Sequence, residues 1–371
     1  MSSFFVGDIL LTDASCNNNC EFCSASYFNK NKKTSTGFNR EPFIYGIINL
    51  ILDKEKSLRE NGLDIQFRTS NTLIFGIYGG EPLVNIHFWE VVSLLKDTFY
   101  DKRLIIRFTT NGKLLKDIYK RILEYENLGV HFEITISYDT QHYKYFDIFE
   151  DNGTKIALKN LAKNNNISGV LSVVDEGFNA LKIYYNIKNL PSKYISWGFN
   201  PRVGYNYDNS IYYTKEICDN IYASLCEVFS YIMNLPPREW TSIDFSIYNN
   251  YICGANNKVA KEKIRYRKSC ELYNNTLCLD LNGNRYGCHH DFEIGRTPIE
   301  SKTLVRGRLK ECDTCEVKYL CRSYCPSIET KLLENNCNSL RAYSSTIKRA
   351  VLDTLPKDFF ERKYGGSHRE D

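Results

Sequence analysis

The sequence predicts an α/β fold, with six βα repeats around a mainly parallel sheet followed by a cysteine-rich extension. Two observations carry that reading. Apolar, β-branched runs alternate with longer amphipathic stretches over the first 235 residues or so, as βα units require. Eight of the 14 cysteines then fall between residues 270 and 337, where the alternation dissolves into short segments.

The first strand is expected over 8–12, where Asp-Ile-Leu-Leu-Thr runs into a polar loop. Strands follow over 72–78, 104–109, 131–137, 169–174 and 195–200, and helices over 42–61, 87–99 and 114–128 occupy the gaps. A further amphipathic stretch, 212–234, stops at Leu235-Pro236-Pro237, because proline lacks the amide donor and clashes with the preceding turn. The expected domains are a βα domain at 1–235, a bridge at 236–262, a cysteine-rich extension at 263–345, and a C-terminal helix and frayed tail at 346–371. Within the extension, 279–286 reads as a hairpin, with Asn282-Gly283 supplying the positive φ of its turn.

Composition excludes several classes. With 371 residues, 43% hydrophobic, the chain buries a sizeable core. A net charge of +4 is too small for the field that drives nonspecific nucleic-acid binding. No apolar run is long enough for a membrane span, and the amino terminus lacks a basic segment followed by a cleavage site. A cytoplasmic chain with neither nucleic acid nor membrane as partner is expected. In that reducing compartment, cysteines favour metal ligation or catalysis over disulfides.

Cys16, Cys20 and Cys23 place three thiolates within eight residues, directly after the first strand. Three ligands are too few for a closed zinc site. The spacing suits either zinc completed by a distant residue or a [4Fe–4S] cluster with one iron open to a small molecule. Further on, Tyr78-Gly79-Gly80-Glu81-Pro82 follows the second strand, Thr109-Thr110-Asn111-Gly112 follows the third, and Ser137-Tyr138-Asp139 ends the fourth. Paired glycines let backbone carbonyls approach a ligand, and all these motifs lie at strand C-termini, where βα barrels collect their active sites.

In these residues the sequence resembles the radical S-adenosylmethionine (radical SAM) superfamily. Its signature is C-x3-C-x2-C with an aromatic residue before the last cysteine, here Phe22, and it carries a GGEP motif after the second strand. The resemblance implies a partial (β/α)6 TIM-like barrel. It further implies that Phe22, Gly79, Gly80, Glu81, Pro82, Thr110, Asn111, Ser137 and Asp139 face SAM, with Glu81 adding charge toward the methionine ammonium.

The eight C-terminal cysteines permit a pair of zinc ribbons on spacing alone. Their full pattern, Cys270-x7-Cys278-x9-Cys288, then Cys312-x2-Cys315-x5-Cys321-x3-Cys325, then Cys337, looks like the SPASM extension of peptide- and protein-modifying radical SAM enzymes. That resemblance implies two auxiliary [4Fe–4S] clusters, one held by Cys270, Cys278, Cys288 and Cys325 and the other by Cys312, Cys315, Cys321 and Cys337. Three clusters and SAM are then the cofactors. Cys218 and Cys226 read as small hydrophobes on a helix, and Cys253 is unassigned.

The implied activity is reduction of the first cluster by an external low-potential donor of flavodoxin or ferredoxin type. A 5′-deoxyadenosyl radical forms, a hydrogen atom leaves the substrate, and the auxiliary clusters take up the second electron. The expected substrate is a ribosomally made peptide, oxidised to a carbon–carbon, ether or thioether crosslink. Because the first cluster begins at residue 16, recognition of that peptide is expected at the barrel rim or through a partner protein. The alternatives are formylglycine formation on a sulfatase, small-molecule oxidation, and a non-catalytic iron–sulfur electron carrier. Sulfatase-maturing relatives carry an aspartate after the cysteine matching Cys288, where this chain has His289. His289, His290 and Asp291 are the candidate proton acceptors.

Overall fold

The computed structural model describes residues 3–11, 16–18, 20, 37–60, 62, 67–201, 213–255, 278–287, 314–317, 320, 330–356 and 359. In chain order the strands are β1 (Ser3–Leu10), β2 (Thr72–Tyr78), β3 (Arg103–Thr110), β4 (Val130–Ser137), β5 (Ile167–Val174), β6 (Ser196–Pro201), β7 (Cys278–Asp280) and β8 (Arg285–Tyr286). The principal helices are α1 (Arg40–Glu60), α2 (Phe88–Thr98), α3 (Leu115–Glu126), α4 (Thr140–Tyr145), α5 (Asn152–Lys163), α6 (Ala180–Lys188), α7 (Lys215–Asn234), α8 (Ser242–Ile247) and α9 (Thr330–Thr354). Strands and helices alternate from β1 to α7, as the sequence pattern predicts.

The chain divides into two compact units. The first comprises Met1–Ser137, Gln141–Ser168 and Glu271–Arg306. Its strands β1 to β4 lie side by side and parallel, each pairing with the next. This sequential parallel order, with helices in the connections, is the winding of a βα barrel or an open piece of one. Burial alternates strictly along β4, so each strand shows two faces. Leu104, Ile106 and Phe108 of β3 and Phe132 of β4 are buried on the helix side. There Phe88 meets Phe108 and Trp89 meets Phe132 edge to face.

The opposite face is polar at one level. Asp8, Gly76, Arg107 and Glu133 stand in register across the four strands, and Arg107 Nε donates to Glu133 Oε2 at 2.6 Å. Asp8 leans over Gly76, where any side chain would collide with its carboxylate.

β1 differs from expectation. It begins at Ser3 and ends at Leu10, and Thr12 lies outside the described residues. Phe4 and Val6 are buried, so the Phe-Phe-Val run belongs to the strand, with a register irregularity between Phe5 and Gly7. The irregularity breaks the simple alternation that marks a strand in sequence.

The hairpin β7–β8 is also in this unit. β7 pairs parallel with β1, from Asp8↔Cys278 to Leu10↔Asp280, and antiparallel with β8. Its connection is a three-residue loop, 281–283, in which Gly283 takes φ of 81°. Asp280 ties the loop by accepting from the Asn282 and Asn284 amides at 2.9 and 2.8 Å. α1 clamps the hairpin from outside. Asn39 N donates to Leu281 O at 3.1 Å, Arg285 pairs with Asp53, and Gly46 gives Leu279 room that a Cβ would close to 2.6 Å.

The second unit comprises Tyr138–Thr140, Gly169–Cys270 and Gly307–Asp371. β5 and β6 pair in parallel, and Phe199 stacks on Tyr251 at 4.2 Å between centroids. Asp244, fully buried, caps α8 through Thr241 and also accepts from Tyr184 Oη, which lifts the tyrosine pKa through burial and that bond. α7 ends at Asn234, where the proline pair stops it. α7 and α9 lie together, with Arg349 paired to Asp219 at 3.0 Å and stacked over Tyr222. α9 starts at Thr330, not near 346, because the polar run around Asn335 and Asn336 hides a continuous helix in the sequence.

Among the described residues, no helix is long and apolar enough to cross a membrane. Gly283→Ala should lower unfolding stability by about 2–3 kcal/mol, since it adds a strained φ and a Cβ 2.5 Å from Pro42 O. Gly62→Ala has the same handedness in open space and should cost about 1 kcal/mol, measured by urea denaturation.

Candidate functional site

The C-terminal ends of β1, β2 and β3 converge through hydrogen bonds within the first unit. Leu11 N donates to Tyr78 O at 2.7 Å, carrying the β1–β2 ladder up to the cysteine loop. Gly79 follows at once, and a Cβ there would sit 2.9 Å from Leu11 Cβ. This glycine is therefore required by close approach of two backbones.

Glu81 is the centre of the arrangement. Its side chain is buried, and its two oxygens accept from Thr110 Oγ1 at 2.7 Å, Asn111 N at 2.8 Å and Leu83 N at 3.3 Å. Burial pushes the carboxyl above its ordinary range, and the Asn111, Thr110 and Leu83 donors pull back the other way. The carboxylate thus caps the short helical turn Pro82–Val84 and fastens the β2 loop to the end of β3. The resemblance assigns Glu81 charge toward a ligand ammonium; in the structure its oxygens also accept from these protein donors.

Asn111 continues the chain of contacts. Its side-chain amide donates to Asn17 Oδ1 at 2.6 Å, and Lys113 Nζ donates to Asn17 O at 3.2 Å. Asn17 lies between the first two cysteines. Cys16 is exposed and its sulfur accepts from Asn18 N at 3.4 Å, whereas Cys20 is buried with its sulfur 3.9 Å from His142 Nε2. His142, on α4, was not picked out in the sequence. A lone histidine in a polar helix carries no spacing signal, and the cysteine it meets, Cys20, is 122 positions away.

Both polar atoms of the Asn18 side-chain amide are buried with no hydrogen-bond partner among the described residues. An orphaned amide between two cysteines leaves a polar vacancy that a ligand bearing donors and acceptors would fill. The orphaned amide fits a polar ligand that carries both donors and acceptors.

Other sequence candidates are placed as follows. Gly80 is half-buried, Pro82 buried, and Ser137 half-buried at the end of β4. Asp139, in the second unit, is buried and accepts from Val173 N at 3.2 Å. Phe22, Cys23, Cys270, Cys288, Cys312, Cys321, Cys325, His289, His290 and Asp291 lie outside the described residues. Cys278 is buried in β7 with its sulfur 4.0 Å from Asp8 Oδ2, in a small cluster with Leu10, Tyr286 and Tyr78. Cys315 and Cys337 are half-buried, the latter on α9. Cys218 and Cys226 are half-buried on α7, with Cys226 Sγ directed to Ala350 O, and Cys253 is buried. None of the described cysteines forms a disulfide. Among the described residues, no three histidine, cysteine or acidic side chains gather as a metal-holding group.

No family model matches the chain, and no curated protein matches it. Among solved structures it is similar to Streptococcus suis SuiB bound to precursor peptide SuiA, at 15% identity and a TM-score of 0.47, over 87% of this chain and 72% of that chain.

Asp8 yields a pH prediction. Burial raises its pKa from 3.8 to about 7, against the opposing fields of Lys54 and Arg107. The folded chain keeps this proton where the unfolded chain releases it, so stability falls as pH rises from about 4 to about 7, by roughly 4 kcal/mol. Asp8→Asn should match the native protein in denaturation at pH 4 and exceed it at pH 8. Glu81→Ala should cost about 3 kcal/mol by orphaning three donors, and Glu81→Gln should cost less. Equal denaturation midpoints for the two Glu81 variants would contradict the tie.

Proposed function

We propose that the chain is a radical SAM enzyme of the SPASM type that oxidatively modifies a ribosomally made peptide. The observation that carries this reading is the linkage of three motifs. The cysteine loop after β1, Gly79-Gly80-Glu81-Pro82 after β2 and Thr110-Asn111 after β3 are joined by the Glu81 and Asn17 hydrogen bonds at one end of a parallel sheet. An electron carrier needs the cysteines but no such linked motifs beside them.

In this proposal Cys16, Cys20 and Cys23 would hold the first [4Fe–4S] cluster, and Phe22, Gly79, Gly80, Glu81, Pro82, Thr110, Asn111, Ser137 and Asp139 would surround SAM. Bound there, the pair would supply 5′-deoxyadenosyl radical chemistry for removal of a substrate hydrogen atom. Glu81 also holds Thr110 and Asn111 in place. The unpaired Asn18 amide offers a donor and an acceptor to the ligand. Cys270, Cys278, Cys288 and Cys325, and Cys312, Cys315, Cys321 and Cys337, hold the two auxiliary clusters. His289, His290 or Asp291 accepts the proton released on oxidation. A flavodoxin or ferredoxin type of donor supplies the electron, and the boundaries 1–235, 236–262, 263–345 and 346–371 separate barrel, bridge, extension and tail.

Anaerobic reconstitution should give about twelve iron per chain, from three four-iron clusters. About four would remove the SPASM assignment. Incubation with SAM and dithionite should release 5′-deoxyadenosine from the native chain and none from Cys20→Ala. Equal release from both proteins would return the chain to the carrier class. Mass spectrometry of a peptide encoded beside this chain should then show loss of two hydrogens. Turnover of a sulfatase cysteine or serine instead would favour formylglycine formation.

A further inference from the structure

We infer that His142 is a positioning residue that donates a hydrogen bond from Nε2 to the sulfur of Cys20 and thereby raises the reduction potential of the cluster proposed there. The inference rests on the cluster reading above. Its own support is geometric. His142 Nε2 lies 3.9 Å from Cys20 Sγ, within sulfur hydrogen-bond range, and Cys20 is 6% exposed. A metal-bound thiolate carries no proton and accepts only, so the contact is attractive only with the proton on Nε2. Shielding from water makes that one donor count for more.

The backbone of α4 is tied to the cysteine loop by a run of contacts. His142 O accepts from Phe146 N at 2.9 Å, and the Phe146 ring lies under Lys113 Nζ at 6.0 Å. Lys113 Nζ in turn donates to Asn17 O at 3.2 Å, three residues before Cys20. Cys16, by contrast, is exposed and accepts from a neighbouring backbone amide, so the two sulfurs differ in environment. Donors to cluster sulfurs stabilise the reduced, more negative state, which is how such bonds set potential.

The test is an anaerobic redox titration of the reconstituted full chain, read by electron paramagnetic resonance on the signal that changes when SAM is added. At a poise where the native signal is half reduced, His142→Phe should show a roughly tenfold lower reduced-to-oxidised ratio, which for a one-electron couple is about 59 mV. His142→Gln, which restores an amide donor, should recover most of the difference. Equal potentials in all three proteins, or a loss in His142→Gln as large as in His142→Phe, overturn the inference and leave the cluster reading standing. If His142→Phe loads no cluster, a native potential in His142→Gln supports the donor role, and loss of the signal there as well overturns it. Absence of any SAM-responsive signal in the native chain overturns both.

Discussion

The buried carboxylate of Glu81 is the constraint on which the candidate site depends. Removing a carboxylate from water costs several kcal/mol, and each hydrogen bond to its charged form returns roughly 1.5–3 kcal/mol. Three donors, two from backbone amides and one from Thr110, bring these contributions to a similar size. What Glu81 contributes is therefore placement more than stability. With its oxygens fixed, the end of β3 has one position, Asn111 has one direction, and Asn17 in the cysteine loop has a partner.

This explains the composition of the cysteine loop. Asparagines bring an amide donor and a carbonyl acceptor on a short stem, which suits a loop that must bond its neighbours and still wrap tightly. Asn17 bonds to Asn111 and Lys113, while the Asn18 amide is buried with no hydrogen-bond partner among the described residues. Two adjacent residues of one type thus divide support of the loop from the contact proposed for a ligand. Gly79 has a similar division: its missing Cβ permits the contact with Leu11 that seats the loop, whatever its carbonyl does for a ligand.

The repeating part of the fold was legible because strand and helix periods differ, and β2 and β4 follow the pattern almost residue by residue. The extended start of β1 was hidden by the irregularity at Phe5 and Gly7. In the site, residue types were legible and partnerships were not. Two of Glu81's three donors, Thr110 and Asn111, lie about thirty positions away, and nothing local announces them. Asp8 looks like an ordinary polar residue of a half-exposed strand, yet it is 4% exposed over a glycine on the next strand. Only the register of β1 against β2 reveals that pair.

One strand of the C-terminal cysteine-rich district lies in the first unit beside the strand that leads into the first cysteines. β7, which begins at Cys278, pairs with the strand that leads into Cys16, so β1 is flanked on both sides by parallel neighbours. A parallel strand left at an edge would present unpaired amides to solvent, and β7 with its hairpin removes that edge. The hairpin is held there by Asn39, Gly46 and Asp53 of the segment that follows the cysteine loop. It therefore cannot shift without disturbing both sides of the loop. Contacts made at residues 278–280 fix β1 up to Leu10, and this hairpin counts as part of the scaffold beneath the first cysteines.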